Sequence, residues 1–206
     1  MTVRRRRPVI GLTGGIGAGK SAVAEMLERL GAVVSDSDRD TTEILRSPDV
    51  VETIRGWWGD EVVDERGTIV RAEVARRVFS DPAERRRLEE LIHPRVHELR
   101  RRRFEEASDS ARMLVIDAPL LFEAGLDAEC DAVWFVDASE DLRRNRVRIN
   151  RDWDDDELAR REANQLSIEE KRRRSDVVLE NDGSLDQLRA KVEAAFSAVS
   201  GDDRTA

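Results

Sequence analysis

The run Gly14-Gly15-Ile16-Gly17-Ala18-Gly19-Lys20-Ser21 fits G-x-x-x-x-G-K-[ST] at every fixed position. Glycines at 14, 15, 17 and 19 permit a positive φ and remove Cβ atoms from the path of an approaching anion. Consecutive backbone N–H groups can then turn toward a single phosphate. A lysine at position 20 reaches β- and γ-phosphates, and the Ser21 hydroxyl suits Mg²⁺. The chemistry implied is the binding of a nucleoside triphosphate. The loop alone does not decide whether the γ-phosphoryl passes to water or to a bound acceptor.

Three further features bear on that choice. Asn-Lys-x-Asp, the guanine-reading pattern of GTPases, is absent from the chain. Asp36-Ser37-Asp38 stands where a second strand ends, so its two carboxylates, alternating by two, are expected on one side at the carboxyl edge of a sheet. One of them could take a proton from an attacking hydroxyl, and an N-cap for a helix near Asp40 is the competing role. Arg143, Arg144, Arg146, Arg148 and Arg151 crowd one stretch. A lid whose guanidinium groups close over phosphate accounts for them. The acidic run Asp152 to Glu157 could instead neutralise them on a solvated helix.

These groups need elements to hold them. Val9-Ile10-Gly11-Leu12-Thr13 reads as a short buried strand running into the glycines. Apolar residues at Val23, Leu27 and Leu30 mark a helix that Gly31 stops, and Ala32-Val33-Val34 follows as a strand. Strand, helix and strand in that order imply a βαβ crossover and a parallel sheet. From about 40 to 110 no buried strand is evident, only charged helical stretches such as 81 to 91 with Leu88 and Leu91 on one face. His93-Pro94 predicts a break there, since a residue before proline is pushed out of the α region. Met113–Ile116 and Ala132–Val136 read as central strands closed by Asp117 and Asp137. Residues 139 to 174 read as charged helix, Val177–Leu179 as a last strand, and Leu185, Leu188, Val192, Phe196 and Val199 as the apolar face of a closing helix.

The expected architecture is a P-loop NTPase-like α/β fold, with a parallel sheet flanked by helices, in one domain spanning 1–206. Its core covers about 8–39, 111–138 and 175–200, an inserted helical substrate-binding subdomain about 40–110, and a helical lid about 139–174. With 206 residues there is room for one such domain. The longest apolar run, Ala132–Val136, is far below the ~20 residues of a membrane-spanning helix. No apolar segment follows Arg4 to Arg7 as a secretion signal requires, so a cytoplasmic protein is expected. Cys130 is alone, which excludes an intramolecular disulfide and a cysteine-rich zinc site. Lys and Arg number 36 against 44 Asp and Glu, a net charge of −8, which argues against broad attraction to nucleic acid. The four arginines at 4 to 7 fit a frayed solubilising tail, as do the residues from Gly201 onward.

With cradle, paired carboxylates and basic stretch assembled, the sequence resembles the dephospho-CoA kinase family. The likeness rests on Gly11 to Ser21, with Ala18 and Ala22 where Ser and Thr are more usual. It also rests on Asp36-Ser37-Asp38, Gly67, Arg71, His93-Pro94 and the unchanged Pro119-Leu120-Leu121-Phe122-Glu123. Arg161, Gln165, Lys171 and Asn181-Asp182-Gly183 continue it. The resemblance implies transfer of the γ-phosphoryl of ATP to the ribose 3′-hydroxyl of dephospho-CoA, giving CoA and ADP. It implies Asp38 as base, with Lys20 and a lid arginine, favoured as Arg151 over Arg144 and Arg148, stabilising the transferring group. Residues 14 to 22 with Arg144, Arg148, Asn181 and Gly183 would bind ATP. Asp36, Arg71, His93, Pro119, Leu121, Phe122, Glu123 and Arg161 would bind dephospho-CoA. Ser21 and Asp117 would serve Mg²⁺, Asp117 through its water shell.

ATP and dephospho-CoA are thus the expected partners, with no nucleic acid, membrane or obligate protein partner. Two readings compete. One is another small P-loop kinase acting on a nucleoside, nucleotide or sugar, which would not need Pro119–Glu123. The other is a nucleotide-dependent regulator that binds RNA or a protein through its arginine clusters.

Overall fold

The computed structural model describes residues 7–201. They form two compact units, one running to Ser35 and resuming at Ala107, the other spanning Asp36–Glu106.

The first unit is built on β1 (Val9–Gly14), β2 (Ala32–Asp36), β3 (Met113–Asp117), β4 (Ala132–Asp137) and β5 (Val177–Glu180). Their order across the sheet is β2-β3-β1-β4-β5. β1 runs parallel to both β3 and β4, with Leu12 opposite Asp117 on one side and Trp134 on the other, and β5 runs parallel to β4. β1 is therefore the central strand, and the chain leaves it for α1 (Lys20–Arg29) before reaching the edge at β2. Side chains alternate along each strand. Ile10, Leu12, Met113, Val115, Trp134 and Val136 meet Val23 and Leu27 of α1 with Leu188, Val192 and Phe196 of α9 (Leu185–Ser200) in one apolar cluster. Leu185, expected on that face, is 63% exposed, because it opens the helix directly after the Ser184 cap.

The intervening residues Gly11, Val133 and Phe135 face the other side. There Gly11 has no room for a Cβ, since Leu121 and the Cys130 thiol already fill that space. The charged stretch folds as three helices, α6 (Glu140–Arg151), α7 (Asp155–Glu162) and α8 (Ile168–Arg174). Arg7 is tied down: its guanidinium donates to the carbonyls of Ala107 and Ser108 at 2.9 and 3.0 Å. The rest of that arginine run, Arg4 to Arg6, lies outside the described residues, as do 202 to 206.

The second unit contains α2 (Ser37–Ile44), α3 (Pro48–Trp58), α4 (Arg71–Ser80) and α5 (Pro82–Glu105), with an isolated bridge between Val63 and Ile69. Val50, Ile54, Trp58, Val74, Ile92 and Val96 form its core. α5 corrects the expected break at His93-Pro94, for the helix runs unbroken through Pro94. A proline inside a helix costs ~3 kcal/mol. Burial of Ile92 and Val96, one turn apart on either side of it, offsets that cost, and the Arg95 guanidinium donates to the Leu91 carbonyl at 2.9 Å.

Candidate active site

The phosphate cradle forms where β1 ends and α1 begins. Gly19 is the N-cap of α1 with φ 99°, and Gly17 has φ 81°. Gly14 and Gly15 do not have positive φ, so two of the four glycines serve close packing instead. A Cβ on Gly14 would lie 2.6 Å from the Val136 carbonyl oxygen, and one on Gly15 would press on Ile168 and Arg143. The loop closes through an Ala18 N–H to Gly15 carbonyl bond of 3.0 Å, and Ala18 is buried. Ile16 is half-buried, Ala22 sits in the first turn of α1, and Ser21 beside it is exposed. The first N–H groups of α1 and its positive dipole end converge there.

Lys20 opens α1 and pairs with Asp117, the buried last residue of β3. Because β3 is the direct neighbour of β1, a carboxylate at its end falls beside the first residue of α1. On the other side of β1, β4 delivers α6 to the cradle. The Arg143 guanidinium is buried, donates to the Ile16 carbonyl and pairs with Glu162 at the end of α7. Arg146 donates to the carbonyls of Ala18 at 3.3 Å and Asn181 at 2.9 Å. The buried Asn181 carboxamide itself donates to Ala18 at 2.7 Å. Gly183, two residues on, packs against Gln187.

Arg143 and Arg146, which grip the loop, belong to the arginine cluster read as a lid but were given no site role from the sequence. The three expected lid arginines point elsewhere. Arg144 pairs with Glu140 at 2.6 Å and approaches Asp155 at 3.7 Å, and Arg148 approaches Asp155 at 3.8 Å. The mutual repulsion of these arginines is thus relieved by neighbouring carboxylates. Arg151 and Arg161 both stack on the Trp153 ring, 4.9 and 3.9 Å from its centre, and Arg161 also pairs with Glu157 at 2.6 Å.

After β3, the Pro119–Glu123 loop is tied down by Lys171 of α8. Its ammonium, 1% exposed, donates to the Pro119 carbonyl at 2.7 Å and the Gln165 side chain at 2.8 Å, and pairs with Glu123 at 3.2 Å. Glu123 also accepts the Leu166 N–H at 2.7 Å. Burial pushes the Lys171 ammonium below its ordinary pKa; Glu123 opposes this and the charge of Lys20 adds to it. Leu121 is wholly buried, and Phe122, also buried, carries Arg174 over its ring at 4.2 Å. A cleft of about 210 Å³ opens between Gly15 and Ile16 on one side and residues 165 to 169 on the other.

In the second unit, Asp36 and Asp38 do not alternate along a strand. Asp36 ends β2 and caps α2, its carboxylate accepting the N–H groups of Asp38 and Arg39 at 2.9 and 3.0 Å. Asp38 lies inside the first turn of α2 and is exposed. A helix beginning at Ser37 rather than near Asp40 separates the two carboxylates. Arg71 opens α4 and donates to the Thr42 hydroxyl at 2.7 Å, and His93 is exposed on α5. Asp40 is buried against Arg103.

A glycine cradle with its lysine at the central strand of a parallel sheet, beside a buried strand-end aspartate, defines a P-loop kinase fold. The sequence model of the dephospho-CoA kinase family matches residues 8–187. A dephospho-CoA kinase of Syntrophotalea carbinolica is 45% identical over 93% of this chain and 92% of its own. One of Deinococcus radiodurans is 43% identical over 91% and 90%. The crystal structure of TT1252 from Thermus thermophilus superposes with a TM-score of 0.83 at 33% identity, over 95% of this chain and 99% of the other. The chain belongs to the dephospho-CoA kinase family. No helix among the described residues is long and apolar enough to cross a membrane.

Proposed function

We propose that this chain transfers the γ-phosphoryl of ATP to the ribose 3′-hydroxyl of dephospho-CoA, the last step of coenzyme A formation, and does so in the cytoplasm. The observation that carries the reading is the Lys20–Asp117 pair beside the glycine cradle, within a chain whose family match covers nearly all of it. Phosphoryl transfer asks a protein mainly for positioning and charge neutralisation. The cradle amides of 14 to 22 hold the β-phosphate, and Lys20 neutralises charge growing on the transferring group. Arg146 and Asn181 hold the loop through Ala18, with Gly183 alongside.

Asp38 accepts the proton of the acceptor hydroxyl. Its side chain is exposed in the first turn of α2, while Asp36 is committed to capping the same helix. Arg71 and His93 of the helical unit bind dephospho-CoA, as do Pro119 and Glu123 of the first unit. Leu121 and Phe122 shape the Pro119–Glu123 loop from within by packing, Arg144, Arg148 and Arg151 belong to the lid, and Arg161 binds dephospho-CoA. Each of these four arginines is held by exposed ion pairs or by stacking on Trp153, contacts worth about 0–1 kcal/mol apiece and readily exchanged.

The residues present fit Mg²⁺. Ser21 offers a hydroxyl in the first turn of α1 and Asp117 a carboxylate, both hard oxygen donors. No group of three or more acidic, histidine or cysteine side chains among the described residues could hold a metal alone, which suits an ion bound largely by phosphates and water. When bound, Mg²⁺ would neutralise phosphate charge and align the oligophosphate. Because Asp117 already holds Lys20, its reach to the ion would run through water.

The test is ADP release from Mg-ATP with dephospho-CoA, compared with adenosine, AMP and no acceptor, with the product weighed by mass spectrometry. Acceleration by dephospho-CoA alone, with gain of one phosphate, is expected. Slow release indifferent to acceptor would overturn the reading.

A further inference from the structure

Among the described residues of the first unit Lys171 is the most deeply buried cation, yet no step of phosphoryl transfer described above uses it. A lysine so close to Lys20 that the charge of one lowers the pKa of the other could be a second phosphate ligand. Its bonding argues otherwise. An ammonium has three N–H groups, and all three are committed: to the Pro119 carbonyl, to Gln165 and to Glu123. Its reach is inward, and it acts through what it holds.

What it holds is the meeting point of three segments. Pro119 and Glu123 bracket the loop that leaves β3 just after Asp117, the partner of Lys20. Gln165 and Leu166 are the link between α7 and α8, and Glu123 binds that link a second time through the Leu166 N–H. Ile168, where α8 begins, abuts Gly15 of the cradle closely enough to crowd a Cβ there. Lys171 thus fixes, from inside, the foot of the lid against both the acceptor-side loop and the cradle wall.

We infer that Lys171 is a positioning residue for phosphoryl transfer, clamping the Pro119–Glu123 loop and the Gln165–Leu166 link into one rigid wall beside the phosphate cradle. A small displacement of such a wall lowers the rate without removing a reacting group. Leaving a buried acceptor set without its donor also has a cost that an apolar replacement does not recover.

The inference rests on the kinase reading, and the wild-type enzyme separates the two. If the wild-type protein shows no ADP release dependent on dephospho-CoA, the reading itself fails. If it does, Lys171→Met, which keeps the length and removes the charge, is expected to lower kcat tenfold to a hundredfold. The Kd for ATP should stay within about twofold of wild type, and the enzyme should remain folded by circular dichroism at the assay temperature. A folded Lys171→Met with wild-type kcat would overturn the inference. So would loss of kcat fully explained by the unfolded fraction. If Lys171→Met does not fold, Glu123→Ala, Gln165→Ala and their double variant decide. Clamping through one ammonium predicts that each single change lowers kcat and that the double loses little more than the worse single. Independent, multiplicative losses, or none, would refute it.

Discussion

Lys20 and Asp117 join the first residue of α1 to the last residue of β3, so the cation at the phosphate cradle is aimed by a carboxylate from the neighbouring strand. Asp117 is buried, and Lys20 is its partner across nearly a hundred residues of sequence. Removing either should therefore damage the same step for different reasons. Lys20→Ala is expected to lower kcat by ~10² or more, because a cation at the transferring group is lost. Asp117→Asn should lower kcat by ~10-fold or more while changing ATP affinity less, since Lys20 remains but loses its aim. Single-turnover kinetics with separately measured ATP Kd values check both.

Asp36 and Asp38 should part company under mutation. Asp36→Ala removes an N-cap and is expected to cost ~1 kcal/mol, a fall of roughly 2–4 °C in Tm. Asp38→Asn should leave Tm and ATP binding nearly unchanged and lower kcat by ~10² or more, as loss of a base does. Thermal melts alongside steady-state rates distinguish the two, and a fully active Asp38→Asn enzyme would remove Asp38 from that role.

Asn181→Ala should loosen the cradle. The carboxamide is buried and its bond is one of two to the Ala18 carbonyl, the other coming from Arg146. Loss of a buried donor of this kind costs about 1–3 kcal/mol. Weaker ATP binding by fivefold or more, with a smaller change in the KM for dephospho-CoA, is the expected result from calorimetric titration and kinetics.

Asp182 gives a pH prediction. The Ser139 N–H, at the start of α6, donates to its carboxylate at 2.7 Å and holds its pKa below the ordinary aspartate value, with Arg146 and Lys191 adding to the effect. A carboxylate depressed in the folded state stabilises the fold above its unfolded pKa. That contribution fades as pH falls through the lower folded pKa. NMR titration of the Asp182 carboxyl should give a midpoint below that of an unstructured aspartate, and Asp182→Asn should abolish the associated acid shift of the Ser139 amide.

Much of this architecture is legible in the chain itself. The cradle and the flanking strand and helix are local patterns, and β3 and β4 each carry an apolar run ended by an aspartate. The two arginines that grip the cradle are a different matter. Arg143 and Arg146 reach Ile16 and Ala18 because β4 lies beside β1, and strand order is not written in any one strand's composition. Among a crowd of similar arginines, spacing alone does not mark which face of α6 turns inward. Asp36 and Asp38 misled for a local reason: a strand ending in a capped helix changes the side-chain period from two to 3.6 between them. Pro94 misled because tertiary burial of Ile92 and Val96 outweighs a local preference.

The crowding at Gly14 and Gly15 has a consequence for the genetics of this enzyme. Gly14 faces a main-chain oxygen of β4, which no side-chain change elsewhere can withdraw, so damage there should be irreparable by a second mutation. Gly15 faces the ends of Ile168 and Arg143, both of which can be shortened. A selection for revertants of Gly15→Ala should return suppressors at position 168, whereas the same selection on Gly14→Ala should return only the original glycine.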